Sequence, residues 1–339
     1  MTSLFRSARG LALVLSLASF SAQAQGLGDA EPVVTTLTLF AGSASGLWVS
    51  SNWGGDWELE SGAASGAALD GIGAVHHIFL TTTNVYIAAD KGLFFSTDFG
   101  RSWAPTGYDS IALSVLPSRY PDADPTIFIA TPGGLLKSQD GGHTFGPTPL
   151  QDQAVYRMEW PGPELVVATE RGVSISADSA ETFKPAGRGL PEAPIHSMTL
   201  SSLWGLDPVI LAGGESGVYR SRDGGKNWHE AGLSGHTVND LFWFGPLLYA
   251  ATDQGLFRSL DAGDSWAPLG RGLDGVEPLR LMFPRYPESG TELFLATTAG
   301  IYRSMDGGAR WQPSGLLDER VLAIATFPPP QIAEPMKAK

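Results

Sequence analysis

One pattern, S-x-D-x-G-x-x-W, recurs seven times along this chain and restricts what it can fold into more than any other feature. The copies are Ser50/Asn52/Gly54/Trp57, Ser96/Asp98/Gly100/Trp103, Ser138/Asp140/Gly142/Phe145 and Ser176/Asp178/Ala180/Phe183. Three more follow: Ser221/Asp223/Gly225/Trp228, Ser259/Asp261/Gly263/Trp266 and Ser304/Asp306/Gly308/Trp311. Successive serines stand 38 to 46 residues apart, the length of one four-stranded blade in a radial all-β array.

The motif's residue types have physical reasons. A short Asp side chain accepts hydrogen bonds from the N–H groups of the turn that follows it, and Gly two positions later permits positive φ. The aromatic then re-enters a strand and packs inward. Two copies depart from the pattern, with Asn52 for Asp and Ala180 for Gly, and neither disturbs the count.

Each copy has the same strand context. In the fifth repeat, residues 195–200 and 209–212 read as first and second strands, Gly217-Val218-Tyr219-Arg220 opens a third, and Trp228 opens a fourth. The first repeat has room for only one strand, residues 35–41, ahead of its box. The missing inner strand is expected at the other end, as residues 321–327. The fold class read from this is all-β: one seven-bladed β-propeller of four-stranded antiparallel blades, with the C-terminal strand completing blade one. Such closure removes the open sheet edges that template aggregation.

The ends and the charge bound the biology. Residues 1–24 read as a secretory leader: Arg6 and Arg9, an apolar run over 11–20, and the small-residue site Ala22-Gln23-Ala24. The propeller is assigned to 25–328 and a disordered tail to 329–339, beyond Pro328. Export places the protein in the periplasm or outside the cell. With no cysteine, disulfides, thiolate catalysis and Cys-type zinc sites are excluded. The formal charge of −13 becomes two units more negative once Arg6 and Arg9 leave with the leader. That argues against sequence-independent nucleic-acid binding, which needs clustered cations to displace counterions from phosphate. No later segment reads as a membrane span.

At these seven boxes the chain resembles the BNR/Asp-box propeller group. That group includes bacterial sialidases, two-propeller xyloglucanases, the sortilin ectodomain and thylakoid-lumen photosystem II assembly factors. The segments GVYRSRDGGKNW (217–228) and IYRSMDGGARW (301–311) carry the resemblance most specifically. It implies that Asn52, Asp98, Asp140, Asp178, Asp223, Asp261 and Asp306 are structural and lie away from any ligand site. Sialidases are similar to one another in six blades, an arginine triad and an Arg-Ile-Pro motif. This chain has seven boxes and no Arg-Ile-Pro.

Ligands meet a propeller where its inner strands begin. With the inner strands aligned on their apolar positions, the second and third residues are His76 and His77 in blade two, and Tyr156 and Arg157 in blade four. They are His196 and Ser197 in blade five, Asn239 and Asp240 in blade six, and Arg280 in blade seven. Blades three and one read as apolar there, with Ala112 and Leu113, and Ala323 and Ile324. Histidine and arginine suit recognition of an anion or an acidic side chain. A metal site is not expected, because His76 and His77 are consecutive in a strand and point to opposite faces. No cofactor is expected either.

Two functions remain. The first is an exported, monomeric binding or scaffold module that takes a protein or carbohydrate partner at the channel mouth and inter-blade loops. The second is an exo-acting, sialidase-like glycoside hydrolase pairing Asp240 with Asp152 or Glu277. Glu159, two residues from Arg157, reads as an internal ion-pair partner, and the loop 61–73 as a contact surface or lid.

Overall fold

The computed structural model describes residues 38–60, 68–81, 84–120, 123–201, 206–284 and 291–327. The leader, residues 35–37, most of the 61–73 loop and the 329–339 tail lie outside them. The described residues form seven four-stranded antiparallel sheets and no helix.

Six sheets use strands in chain order from the inside out. In the seventh, which is blade 1, Val321–Phe327 lies innermost, beside Thr38–Ser43. The pairing runs from Thr38 opposite Phe327 to Ser43 opposite Val321. Inner strands of neighbouring blades touch in sequence right round to the first, so the ring is closed. The two ends of the described chain therefore share one blade, as expected from the strand count.

Period-two alternation builds the core between blades rather than within one. In blade 1, Phe40 packs with Val75, Ile87 and Trp103 of blade 2. Its neighbours Leu39 and Ala41 face the other way, onto Met282, Phe294 and Ile301 of blade 7. Second strands such as Val85–Ala89 and Leu165–Thr169 are thus buried along their whole length, because both faces meet a neighbouring sheet. Burying a side chain such as Leu39 or Phe40, each essentially inaccessible, contributes about 2 kcal/mol.

The boxes form the turns between third and outer strands. The serine hydroxyl donates to the Asp carboxylate, 2.8 Å in the Ser96/Asp98 copy, and accepts the N–H two residues beyond that Asp, Gly100 at 2.8 Å. The turn needs two successive left-handed residues, such as Gly224 (φ 72°) and Gly225 (φ 87°). Ala180 adopts the same conformation at φ 69° and its N–H still reaches Ser176 Oγ at 2.9 Å, so the fourth box is intact. The first is intact too: Asn52 Oδ1 accepts from Ser50 Oγ and from the N–H of Asp56, while its amide donates to the Asp56 carboxylate at 2.8 Å. Since strand direction alternates, the boxes and the start of the inner strands fall on opposite faces of the ring.

Candidate site at the channel mouth

Six of the seven inner strands begin with a β-bulge; blade 3 pairs in unbroken register from Ser114. In blade 2, Val75 pairs with Ala89 and His77 with Ala88, leaving His76 as the extra residue. The same shift leaves Tyr156, His196, Asn239 and Leu279 extra in blades 4 to 7. A bulge re-aims the side chain it inserts. Here the six bulge residues and Leu113 of blade 3, with Arg280 and Arg320, line one cavity of about 250 Å³. The register corrects the apolar alignment in two blades. Ser114 pairs with Ala130, so blade 3 presents Leu113 at the mouth and Ser114 in the third position, not Ala112 and Leu113. Blade 1 presents Leu322 and Ala323, not Ala323 and Ile324, because Val321 pairs with Ser43 and Ala323 with Gly42.

Acids at the tips of the second-to-third-strand hairpins frame this mouth. Asp90, Glu170 and Asp253 each accept the backbone N–H of the residue just before an inner strand, from Ala74 (2.9 Å), Ala154 (3.3 Å) and Thr237 (3.0 Å). In blade 5 that residue is Pro194, which has no N–H to give. Glu215 lies instead 3.9 Å from His196 Nε2. Burial lowers the His196 pKa, with Arg280 adding to the effect and Glu215 opposing it. The His196 ring meets Tyr156 edge-on at 5.1 Å. Burial, then Glu170 and Glu215, push the Tyr156 hydroxyl above its ordinary pKa. His76 is held by Asp90 at 2.8 Å. Burial alone would raise Asp90, yet the hydrogen bonds from His76 and Ala74 bring it below the usual carboxylate range.

The third residues form a second ring, deeper in the channel: His77, Ser114, Arg157, Ser197, Asp240, Arg280 and Ala323. An inner strand is a sheet edge, and its inward N–H groups need acceptors. Three of these side chains supply them to the next blade. His77 Nδ1 accepts from Val115 N–H (3.3 Å), Ser197 Oγ from Leu241 N–H (2.9 Å), and Asp240 Oδ2 from Leu281 N–H (3.0 Å). The Val115 bond places the His77 proton on Nε2. Burial, with Arg157 and Arg280 nearby, keeps the His77 pKa well below its usual value, so the ring is neutral.

Asp240 is buried, and its other oxygen accepts from Ser197 Oγ at 3.1 Å, with Arg280 Nη1 4.0 Å away. Arg280 also donates to the carbonyls of Leu279 (3.1 Å) and Asn239. The Arg157 side chain makes no hydrogen bond among the described residues and lies 3.9 Å from Glu159. Burial raises the Glu159 pKa against the pull of Arg157, and Asp240 adds to the rise. Of the carboxyl groups paired with Asp240 for hydrolysis, Glu277 accepts from Asn239 at 3.0 Å and Asp152 is exposed in its turn. His236, in a neighbouring loop, packs on Phe257 and does not line the mouth. Sequence reading missed the frame of hairpin acids, although its signal was present: an acid stands two residues before the glycine that opens the third strand in four blades.

Residues 219–230, within the fifth repeat, match the BNR/Asp-box repeat family. No curated protein matches the chain in sequence. Solved structures share its fold. An ancestral GH74 enzyme aligns with a TM-score of 0.61 at 16% identity, over 82% of this chain and 44% of its own. The extracellular domain of a one-component system of B. thetaiotaomicron gives 0.60 at 13%, over 79% and 38%. The chain therefore spans less than half the length of these two. YCF48 bound to D1 peptide gives 0.52 at 17%, over 70% of this chain and 80% of its own.

Proposed function

We propose that this seven-bladed propeller of Asp-box repeats is an exported binding module whose channel mouth receives an extended segment of a partner protein. The observation that carries this reading is the ring of inner-strand starts, six of them bulged, which brings one side chain from every blade to a single cavity. At about 250 Å³ the cavity lies below the usual size for small-molecule sites, and suits one side chain or a chain end. Arg280 and Arg320 give it cations on a chain whose formal charge is −13. His196 against Tyr156 offers an aromatic wall. A propeller of similar fold, YCF48, is solved with a peptide bound. Residues 1–24, acting as a leader, deliver the module across the membrane.

Binding is favoured over hydrolysis by what the acids do. Glycosidases need two carboxyl groups flanking the scissile bond. Both oxygens of Asp240 are taken by structural donors. Tyr156 has a raised pKa, the wrong direction for a nucleophile.

Crosslinked capture from the native envelope tests the reading. Wild-type protein is expected to enrich a partner that an Arg320→Ala/His196→Ala variant of unchanged melting temperature does not. Equal capture by both removes the mouth from the account. Turnover of a fluorogenic glycoside that is abolished in Asp240→Asn would establish hydrolysis instead.

A further inference from the structure

The deeper ring encloses a second cavity, of about 280 Å³, lined by His77, Arg157, Asp240 and Arg280 with apolar residues such as Ile78 and Leu281. Arg280 lines both this cavity and the mouth, so the two share a wall. The charged groups around it are unequally committed. Asp240 is held by Ser197, by Leu281 N–H and beside Arg280. Among the described residues the Arg157 side chain makes one ion pair, with Glu159 at 3.9 Å, and no hydrogen bond. The Arg157 fork therefore keeps donors for an incoming oxyanion. His77, with Nδ1 occupied by the Val115 N–H, turns a neutral Nε2–H donor away from that bond.

We propose that this cavity is a carboxylate site, in which Arg157 and Arg280 grip one carboxylate group and His77 Nε2–H supplies a further donor. Guanidinium and carboxylate match as a two-point fork, and partial exclusion of water strengthens the pair. Glu159 is the built-in competitor, since it shares Arg157. Burial raises its pKa, which weakens its claim on the arginine. The carboxylate comes either from a small free anion or from the C-terminus of a chain reaching in through the mouth; only the second source rests on the function proposed above.

Calorimetric titration of the full chain separates these outcomes, with sodium formate, N-acetyl-alanylalanine and the dipeptide's C-terminal amide as probes. Saturable binding of formate or of the dipeptide acid is expected, with none for the amide. Formate alone points to a free anion, and tighter binding of the dipeptide acid points to a chain end. Arg157→Gln is expected to weaken binding by about tenfold or more. Glu159→Gln, which keeps the side-chain shape and removes the competing charge, is expected to tighten it. Absence of saturable binding by wild type, an unchanged constant in Arg157→Gln, or amide binding equal to the acid would overturn the site. Both carboxylate probes failing while the mouth still captures its partner sinks this site alone. Either carboxylate probe binding while capture fails sinks the mouth alone.

Discussion

At the scale of single residues, the Asp boxes are charge-dependent turns. Asp178, Asp223 and Asp261 are each drawn down to about 2. The largest contributor in each is the side chain four residues on: Thr182, Asn227 or Ser265. Asp98, Asp140 and Asp306 are lowered as well. An unfolded Asp titrates near about 4, so the unfolded chain takes up protons first as the pH falls. These turns' contribution is complete above about pH 4 and is lost as the pH drops towards about 2. Urea midpoints measured from pH 5 to pH 2 should fall steeply, and Asp261→Asn should flatten that fall. Asn52 is the informative exception. Its amide donates to Asp56, where the other boxes present a donor or a cation, so Asn52→Asp should lower the urea midpoint at pH 7 through carboxylate repulsion. Adding Asp56→Ser should restore it. At Gly225 (φ 87°) a Cβ would meet Ile175 Cδ1 at 2.6 Å, so Gly225→Ala should cost about 2 kcal/mol in chemical denaturation.

At the scale of elements, the inner strands are held by staples that reach from blade to blade. Asp240→Ala leaves the Leu281 N–H without its acceptor and Arg280 without its counter-charge. The expected loss is about 3 kcal/mol by urea denaturation. Ser197→Ala removes one acceptor and one donor, and should cost about 1–2 kcal/mol. A purely catalytic Asp240 would show no such loss of stability. The strands themselves were legible in sequence, because alternation and box chemistry are local. The bulges were not. Leu113 and Leu322 are apolar residues that face the mouth, and aligning on apolar positions therefore slipped blades 3 and 1 by one residue. Register belongs to the pairing, not to a single strand. Asp240 was legible as a channel residue, but its role as a staple depends on the edge N–H of the next blade.

At the scale of the whole molecule, closure joins the two ends of the described chain. Val321–Phe327 covers the edge of Thr38–Ser43 and completes the packing around Val75 and Phe294. This much followed from counting strands, since blade 1 was one short. A chain stopped after Arg320 should lose cooperative unfolding and aggregate through the bared edge. Moving residues 321–327 ahead of Thr38 in a circular permutant should restore it, and a melt followed by light scattering distinguishes the two. The same closure sets the mouth apart from the box face, where Leu260 and Met305 are exposed. Photocrosslinking of the partner from single probes at Leu113, Leu322, Leu260 and Met305 compares the two faces directly. The account expects crosslinks from Leu113 and Leu322 and none from the box turns; crosslinks from Leu260 and Met305 alone would contradict it.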